Sequence, residues 1–193
     1  MTAPVERHRP GIASRHAARL GGQIATLDTK RLQMRSPRIY DFEAYAEIMM
    51  SDRAQFLGGT MTRAEAWTDF TQYVALWLLH GHGLWTIDAQ TQPSAGFVLL
   101  GYEYEDPEPE LGILLSADAE GQGYAQEACE AVRAYAFDTL KWESCVSYVD
   151  PANARCIALM ERLSAFRDTT AESELLDDTL VFRHVPLVAE DAA

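Results

Sequence analysis

The chain lacks most of the features that would point away from an ordinary globular protein. No uninterrupted apolar run in its 193 residues approaches the roughly 18–20 that a membrane span needs. Cysteine is sparse. Cys129, Cys145 and Cys156 show no metal-ligand spacing, and an odd number makes a poor disulfide framework. Each stands in an apolar periodic setting, which reads as buried free thiols in a reducing cytoplasm. The five histidines (His8, His16, His80, His82, His184) form no metal motif. His80 and His82 flank Gly81 at a predicted helix end, where imidazole suits the C-terminal dipole. Positive charge is both scarce and uneven. Sixteen Lys/Arg face 29 Asp/Glu for a net −13, yet residues 1–35 hold seven of the cations against only Glu6 and Asp28. The acidic remainder would repel nucleic-acid phosphates and attract cationic partners such as amines or basic peptide termini.

What is present fits one domain with a full core: 48% apolar residues and four Trp. Residues 1–26 stand apart as an Arg-, Ala- and Gly-rich tail without a signal-peptide core. In composition they imitate an organellar transit peptide; the reading adopted is a disordered tail, or a start placed too far upstream. Residues 187–193 read as a C-terminal tail.

From residue 27 the periodicities alternate in type. Lys30–Arg35 alternates like a half-buried strand, and residues 38–50 carry apolar groups at helical spacing. Thr62 with Glu65 three positions on is a capping box, opening a helix that runs to His80 and stops at Gly81. Gly83–Asp88 and Ala95–Tyr102 read as an antiparallel pair. A strand over Glu110–Leu115 follows, then a helix over 121–140. A strand over 144–149 leads to a helix from Asn153 to about Ser164, and Thr179–Val185 is the clearer strand of a closing hairpin. Trp67, Trp77 and Trp85, with Tyr73, are core candidates by spacing and otherwise walls of an acceptor pocket.

The most informative stretch is residues 120–126, Glu-Gly-Gln-Gly-Tyr-Ala-Gln, between the strand at 110–115 and the next helix. A strand, a glycine loop and a helix N-terminus leave several N–H groups unpaired, with the helix dipole behind them. Glycines at 121 and 123 let the main chain wrap closely around a phosphate. A dinucleotide fingerprint needs a third glycine and an acidic residue about twenty positions on, and neither is in place. A P-loop needs Gly-Lys-Ser/Thr, which is absent.

In their order, Glu110-Leu-Gly-Ile-Leu-Leu, Gly121-Gln-Gly-Tyr-Ala-Gln-Glu-Ala and Asp150-Pro-Ala-Asn153-Ala-Arg resemble the GNAT superfamily of acyl-CoA N-acyltransferases. The chain looks most like the branch that acetylates N-terminal amines of ribosomal proteins, over about residues 27–186. The resemblance implies an α/β (α+β) fold: a mixed, mostly antiparallel sheet with helices on both faces, splayed between the strands at 110–115 and 144–149. It implies acetyl-CoA as acyl donor, with pantetheine pairing along Ile113, Leu114 and Leu115. The pyrophosphate would rest on the amides of Gly121, Gln122, Gly123, Tyr124, Ala125 and Gln126. Asn153 serves as N-cap of its helix and, by resemblance, as a hydrogen-bond partner of CoA. No metal is called for, and a homodimer is a family-level expectation. Family members usually carry Arg or Gln where this chain has Glu120.

Direct acetyl transfer needs a neutral amine, a polarised carbonyl and a proton for the departing thiolate. Glu110 is the candidate base, provided that desolvation raises its pKa; the alternative is an exposed strand-end carboxylate. Glu103 and Glu105 are exposed substitutes. Main-chain N–H groups around Ile113–Leu114 are the candidate oxyanion donors. The family's acid, a tyrosine on the last helix, is replaced here by Met160, which leaves Tyr148 and Tyr124 as nearby phenols, and Tyr148 is carried forward. Cys156 reads as a core thiol rather than a nucleophile. Deprotonating a lysine near pH 7.5 costs about 4 kcal/mol and an α-amine well under about 1 kcal/mol, so a site with one base suits an N-terminal α-amine. Small amines or antibiotics as acceptors, a catalytically degenerate acyl-CoA-binding scaffold, and a binder of some other phosphate ligand are the alternatives.

Overall fold

The computed structural model describes residues 2–186. Eight strands form one sheet: β1 (Leu27–Asp28), β2 (Leu32–Arg35), β3 (Leu84–Ala89), β4 (Gln92–Gly101), β5 (Glu110–Leu115), β6 (Cys145–Val149), β7 (Phe166–Arg167) and β8 (Leu180–His184). Their spatial order is β1-β2-β3-β4-β5-β6-β8-β7, and every neighbouring pair is antiparallel except β5 with β6. The helices are α1 (Ile12–Gly21), α2 (Phe42–Met49), α3 (Arg63–Leu79), α4 (Tyr124–Ala134), α5 (Ala154–Arg162) and α6 (Thr169–Glu172). No described helix is long and apolar enough to cross a membrane.

The sheet separates two cores, which is why the central strands read as continuous apolar runs instead of alternating ones. On one face α2 and α3 bring Phe42, Tyr45, Ala66 and Phe70 against Leu84, Phe97 and Leu99. On the other, α4 and α5 bring Ala128, Cys129, Val132, Leu159 and Met160 against Trp85, Ile87, Val98 and Leu100. Trp85 and Trp77 meet edge to face at 4.5 Å, and Trp67 packs on Phe42 at 4.8 Å. The tryptophans are therefore core residues. Local signals explain the element ends. Thr62 Oγ1 accepts from Glu65 N–H while Glu65 Oε2 accepts from Thr62 N–H at 2.7 Å, the capping box expected of α3. Gly81, at φ +76°, stops that helix in the left-handed region. The helix expected over 121–140 is α4 continued by a π turn over Tyr135–Thr139, in which Leu140 N–H reaches back to Tyr135 O.

Residues 1–26 differ most from the sequence reading. Where a disordered tail was expected, they carry the ten-residue helix α1, and Glu6 accepts from Arg63 at the start of α3. The Trp85 indole donates to Ala25 O at 2.8 Å, tying the segment to the sheet. No residue of α1 is buried: its apolar residues, Ile12 and Leu20 among them, are exposed and reach no core, and the Arg-, Ala- and Gly-rich composition of the segment reads as a tail. The C-terminal tail at 187–193 lies outside the described residues.

Strands β5 and β6 share one rung. Glu110 pairs with Val146, and Val146 N–H donates to Pro109 O at 2.9 Å; beyond it the strands part. Further along β5, Ser147 Oγ donates to Leu111 O at 2.6 Å, replacing the ladder partner that the divergence removes. This is the splay expected between the two strands.

Candidate active site

The gap between β5 and β6 opens into a cleft of about 1310 Å³. Its walls include all of β5, the loop after it, Tyr148 and Val149 of β6, and α5 from Asn153 to Met160. Antiparallel pairing sends main-chain groups of alternate residues to opposite edges of a strand. Leu111 O accepts from Ser147 and Leu115 O from Arg53 Nε at 3.3 Å, so residues of this parity face the splay. Ile113 lies between them, and its N–H and C=O therefore face the cleft. Leu114 O points instead at Gly96 of β4, so close that a Cβ there would collide with it. Of the three residues expected to pair with pantetheine, Ile113 and Leu115 present main chain to the cleft; Leu114 contributes its side chain to the core on the α2–α3 face.

The loop before α4 takes the form its glycines allow. Gly121 and Gly123 sit at φ +70° and +78°. The first hydrogen bond of α4 runs from Glu127 N–H to Gly123 O, which leaves the N–H groups of Tyr124, Ala125 and Gln126 aimed out of the helix N-terminus. Arg31, in the turn just before β2, braces this loop, a contact that spans 91 residues and has no local signal in sequence. Its Nη1 donates to Gln122 O at 2.7 Å, its Nε to Glu127 Oε2 at 2.6 Å, and its Cζ lies 5.0 Å over the Tyr124 ring. The Gln122 and Gln126 side chains are occupied locally, on Asp118 O and Glu130. Backbone amides are thus what the loop offers an anion. Glu120, the unusual residue, is neutralised from two sides by Arg53 and Arg155.

Glu110 opens β5 at the closed end of the splay. Burial pushes its carboxyl up to about 8, aided by the nearby charges of Asp106 and Glu103. It is half-buried, not the exposed strand-end group of the alternative reading. Glu103, whose charge acts on it, accepts from Tyr73, and beyond Glu103 lies a second phenol–carboxylate pair, Tyr45 donating to Asp69. Glu105 is exposed on the preceding loop. Tyr148, on the neighbouring strand, has a buried hydroxyl with no hydrogen-bond partner. Its pKa is pushed up to about 12, chiefly by burial and then by Asp106, so it keeps its proton. Asn153 Oδ1 accepts from Cys156 N–H at 3.1 Å, which makes it the N-cap of α5, at the cleft wall. Met160, the residue expected by resemblance to replace a tyrosine, is fully buried.

His184 approaches Ser147 Oγ at 3.0 Å with Nε2. Because the hydroxyl proton goes to Leu111 O, this nitrogen is the donor and Nδ1 the bare one. Burial, then Arg133, drives the imidazole pKa down to about 3, so it stays neutral and structural. His82 is buried with Nδ1 on Leu100 O at 2.7 Å, and His80 is the C-cap of α3. Cys129 and Cys145 are buried free thiols; Cys156 lines the cleft with its pKa raised to about 11 by burial. Among the described residues no group of three or more His, Cys, Asp or Glu is placed to hold a metal ion.

A family model for the acetyltransferase (GNAT) domain matches residues 31–165. The chain belongs to the GNAT acetyltransferases. Among solved structures, an acetyltransferase from Agrobacterium tumefaciens is 38% identical, with a TM-score of 0.78 over 83% of this chain and 94% of that one. An acetyl transferase from Salmonella typhimurium, described as modifying the N-terminal serine of a 50S ribosomal subunit protein, shares the fold at 14% identity, with a TM-score of 0.68 over 83% of this chain and 99% of that one. RimL, a ribosomal alpha-N-protein acetyltransferase solved with coenzyme A, does so at 15% identity, with a TM-score of 0.67 over 83% and 98%. A comparison with curated proteins found no match. GNAT enzymes use acetyl-CoA, and the sheet of this acetyltransferase has the family's splay between its two central strands.

Proposed function

We propose that this acetyltransferase moves the acetyl group of acetyl-CoA to a primary amine by direct attack, and that the acceptor is the N-terminal α-amine of a protein or peptide. The observation that carries this is Glu110, set where β5 and β6 part and shifted into the range of a base that works near neutral pH. The pantetheine arm pairs with the splay-side groups of Ile113 and Leu115, and the diphosphate rests on the amides of residues 121–126. Ionised Glu110 takes one proton from the incoming ammonium. The freed nitrogen attacks the thioester carbon, and Ile113 N–H meets the oxygen as it gains charge. The C–S bond then breaks, and the thiolate takes the Tyr148 proton. The second nitrogen proton restores that phenol through water, so one proton in total leaves by way of Glu110.

Three observations favour an α-amine acceptor. One base of this kind suffices for an α-amine, whereas a lysine near pH 7.5 costs about 4 kcal/mol to deprotonate. The carboxylates of Glu103 and Asp106 beside Glu110 attract a cationic terminus. Two solved structures of the same fold are described as acetyltransferases of ribosomal-protein N-termini.

The test is acetyl-CoA turnover over a panel of N-terminal peptides, lysine peptides, small amines and aminoglycosides, with Glu110→Gln alongside. Preferred turnover of free peptide N-termini supports the proposal. Turnover of small amines or lysine alone replaces the acceptor, and CoA binding without turnover anywhere on the panel leaves a binding scaffold. A Glu110→Gln enzyme as active as wild type removes Glu110 from the chemistry.

A further inference from the structure

Glu120 stands immediately before the glycine loop, and both its carboxylate oxygens are occupied. Arg53 Nη2 binds Oε1, and Arg155 Nη1 binds Oε2 at 2.7 Å. The two arginines come from opposite faces of the sheet. Arg53 belongs to the 3₁₀ turn Asp52–Phe56 after α2, and Arg155 to the first turn of α5. All three residues line the cleft, so the ion triad spans its mouth beside the free amides of the loop.

The triad carries two cations on one anion, at the place where a diphosphate would bring more negative charge than a carboxylate can. Guanidinium groups bind phosphate oxygens through two parallel donors, a geometry that a carboxylate imitates. Arg155 is 81% exposed and Glu120 35% exposed, so exchanging one anion for another costs little here. We propose that Arg53 and Arg155 are the side-chain anchors of the donor's diphosphate, and that Glu120 holds their guanidinium groups in its place while the cleft is empty. Glu120 thereby orders the arginines and competes with the ligand for them. A carboxylate in front of an anion site then makes sense: the chain supplies the positive charge from two other elements and keeps it screened until the ligand arrives. The inference rests on acetyl-CoA being the donor.

The experiment is isothermal titration of the full chain with CoA and with pantetheine, which shares the arm and lacks the phosphates. Arg155→Ala is expected to weaken CoA about tenfold and Arg53→Ala by a similar factor, as befits charge-assisted contacts. Glu120→Gln is expected to tighten CoA about fivefold, since it frees both arginines. Pantetheine affinity stays within about twofold in Arg155→Ala and Glu120→Gln, which also reports an intact cleft; Arg53 also donates to Leu115 O, so Arg53→Ala is read by its loss of CoA affinity relative to pantetheine. In an Arg53→Ala/Arg155→Ala background the gain from Glu120→Gln falls below about half, because the arginines it released are gone. Three results would overturn the assignment: arginine variants that bind CoA like wild type, changes that appear equally with pantetheine, or a Glu120→Gln protein that binds CoA more weakly. A Glu120→Gln gain that persists in full without the arginines also overturns it, since simple repulsion then explains the effect. A wild-type protein that binds no CoA at all fails differently, by removing the donor reading and this inference with it.

Discussion

The Ser147 hydroxyl donates to the Leu111 carbonyl at 2.6 Å, just past the only rung that β5 and β6 share. It also accepts from His184, so one hydroxyl satisfies two buried groups at the point of divergence. Ser147→Ala leaves both without a partner and should cost about 1–3 kcal/mol, read as a lower urea midpoint at unchanged m-value.

Arg31 is expected to matter for the donor more than for the fold. Arg31→Ala removes the brace from Gln122 O and Glu127 and should weaken CoA binding about tenfold, or about 1.4 kcal/mol. Arg31→Lys should rescue poorly, because a single ammonium cannot serve both acceptors in the same geometry. Calorimetric titration with CoA checks both.

Glu110→Gln should lower kcat by about 100-fold and abolish the rise of kcat/KM through about pH 8. Stability gives an independent readout. The folded pKa lies above the ordinary glutamate value of 4.5, so the folded protein holds a proton that the unfolded chain releases. Stability from this group is therefore present at low pH and lost as pH rises from about 4.5 to about 8. The glutamine variant is spared that loss, and its melting temperature should exceed that of wild type above pH 8.

Tyr148→Phe separates acid from packing. The hydroxyl has no hydrogen-bond partner, so removing it should leave the melting temperature equal or higher. If the phenol protonates the departing thiolate, kcat falls by about 100-fold, and the loss is smaller with a donor whose thiolate is a better leaving group. A kinetic comparison of acetyl-CoA with an activated thioester decides it.

Much of this could be read before any coordinates. The boundaries of β5, the capping box at Thr62, the N-cap at Asn153 and the left-handed glycines of the loop all follow from signals within four or five residues. The splay came through family resemblance, since no spacing in one strand announces where its neighbour departs. Tertiary partners carried no local mark. Arg31 reaches a loop 91 residues away, and Glu120 could be judged unusual but not paired, because Arg53 and Arg155 lie 67 and 35 positions from it. α1 stayed hidden because its Arg-, Ala- and Gly-rich composition reads as a tail and its apolar residues, Ile12 and Leu20 among them, are exposed and join no core.

The single rung between β5 and β6 gives the sheet a seam. Five strands lie on one side of it and three on the other, joined across the seam by that rung, the Ser147–Leu111 hydrogen bond, the Arg183–Glu108 ion pair and the helices packed on the α4–α5 face. A donor whose amide arm adds main-chain bonds along that seam works as a suture: it completes the sheet for as long as it is bound. Amide hydrogen exchange in β6 and β8 should therefore slow markedly with CoA, while β2 and β3, far from the seam, exchange as before. Each turnover would then end with the sheet unstitched, tying product release to the mechanical softness of the smaller part.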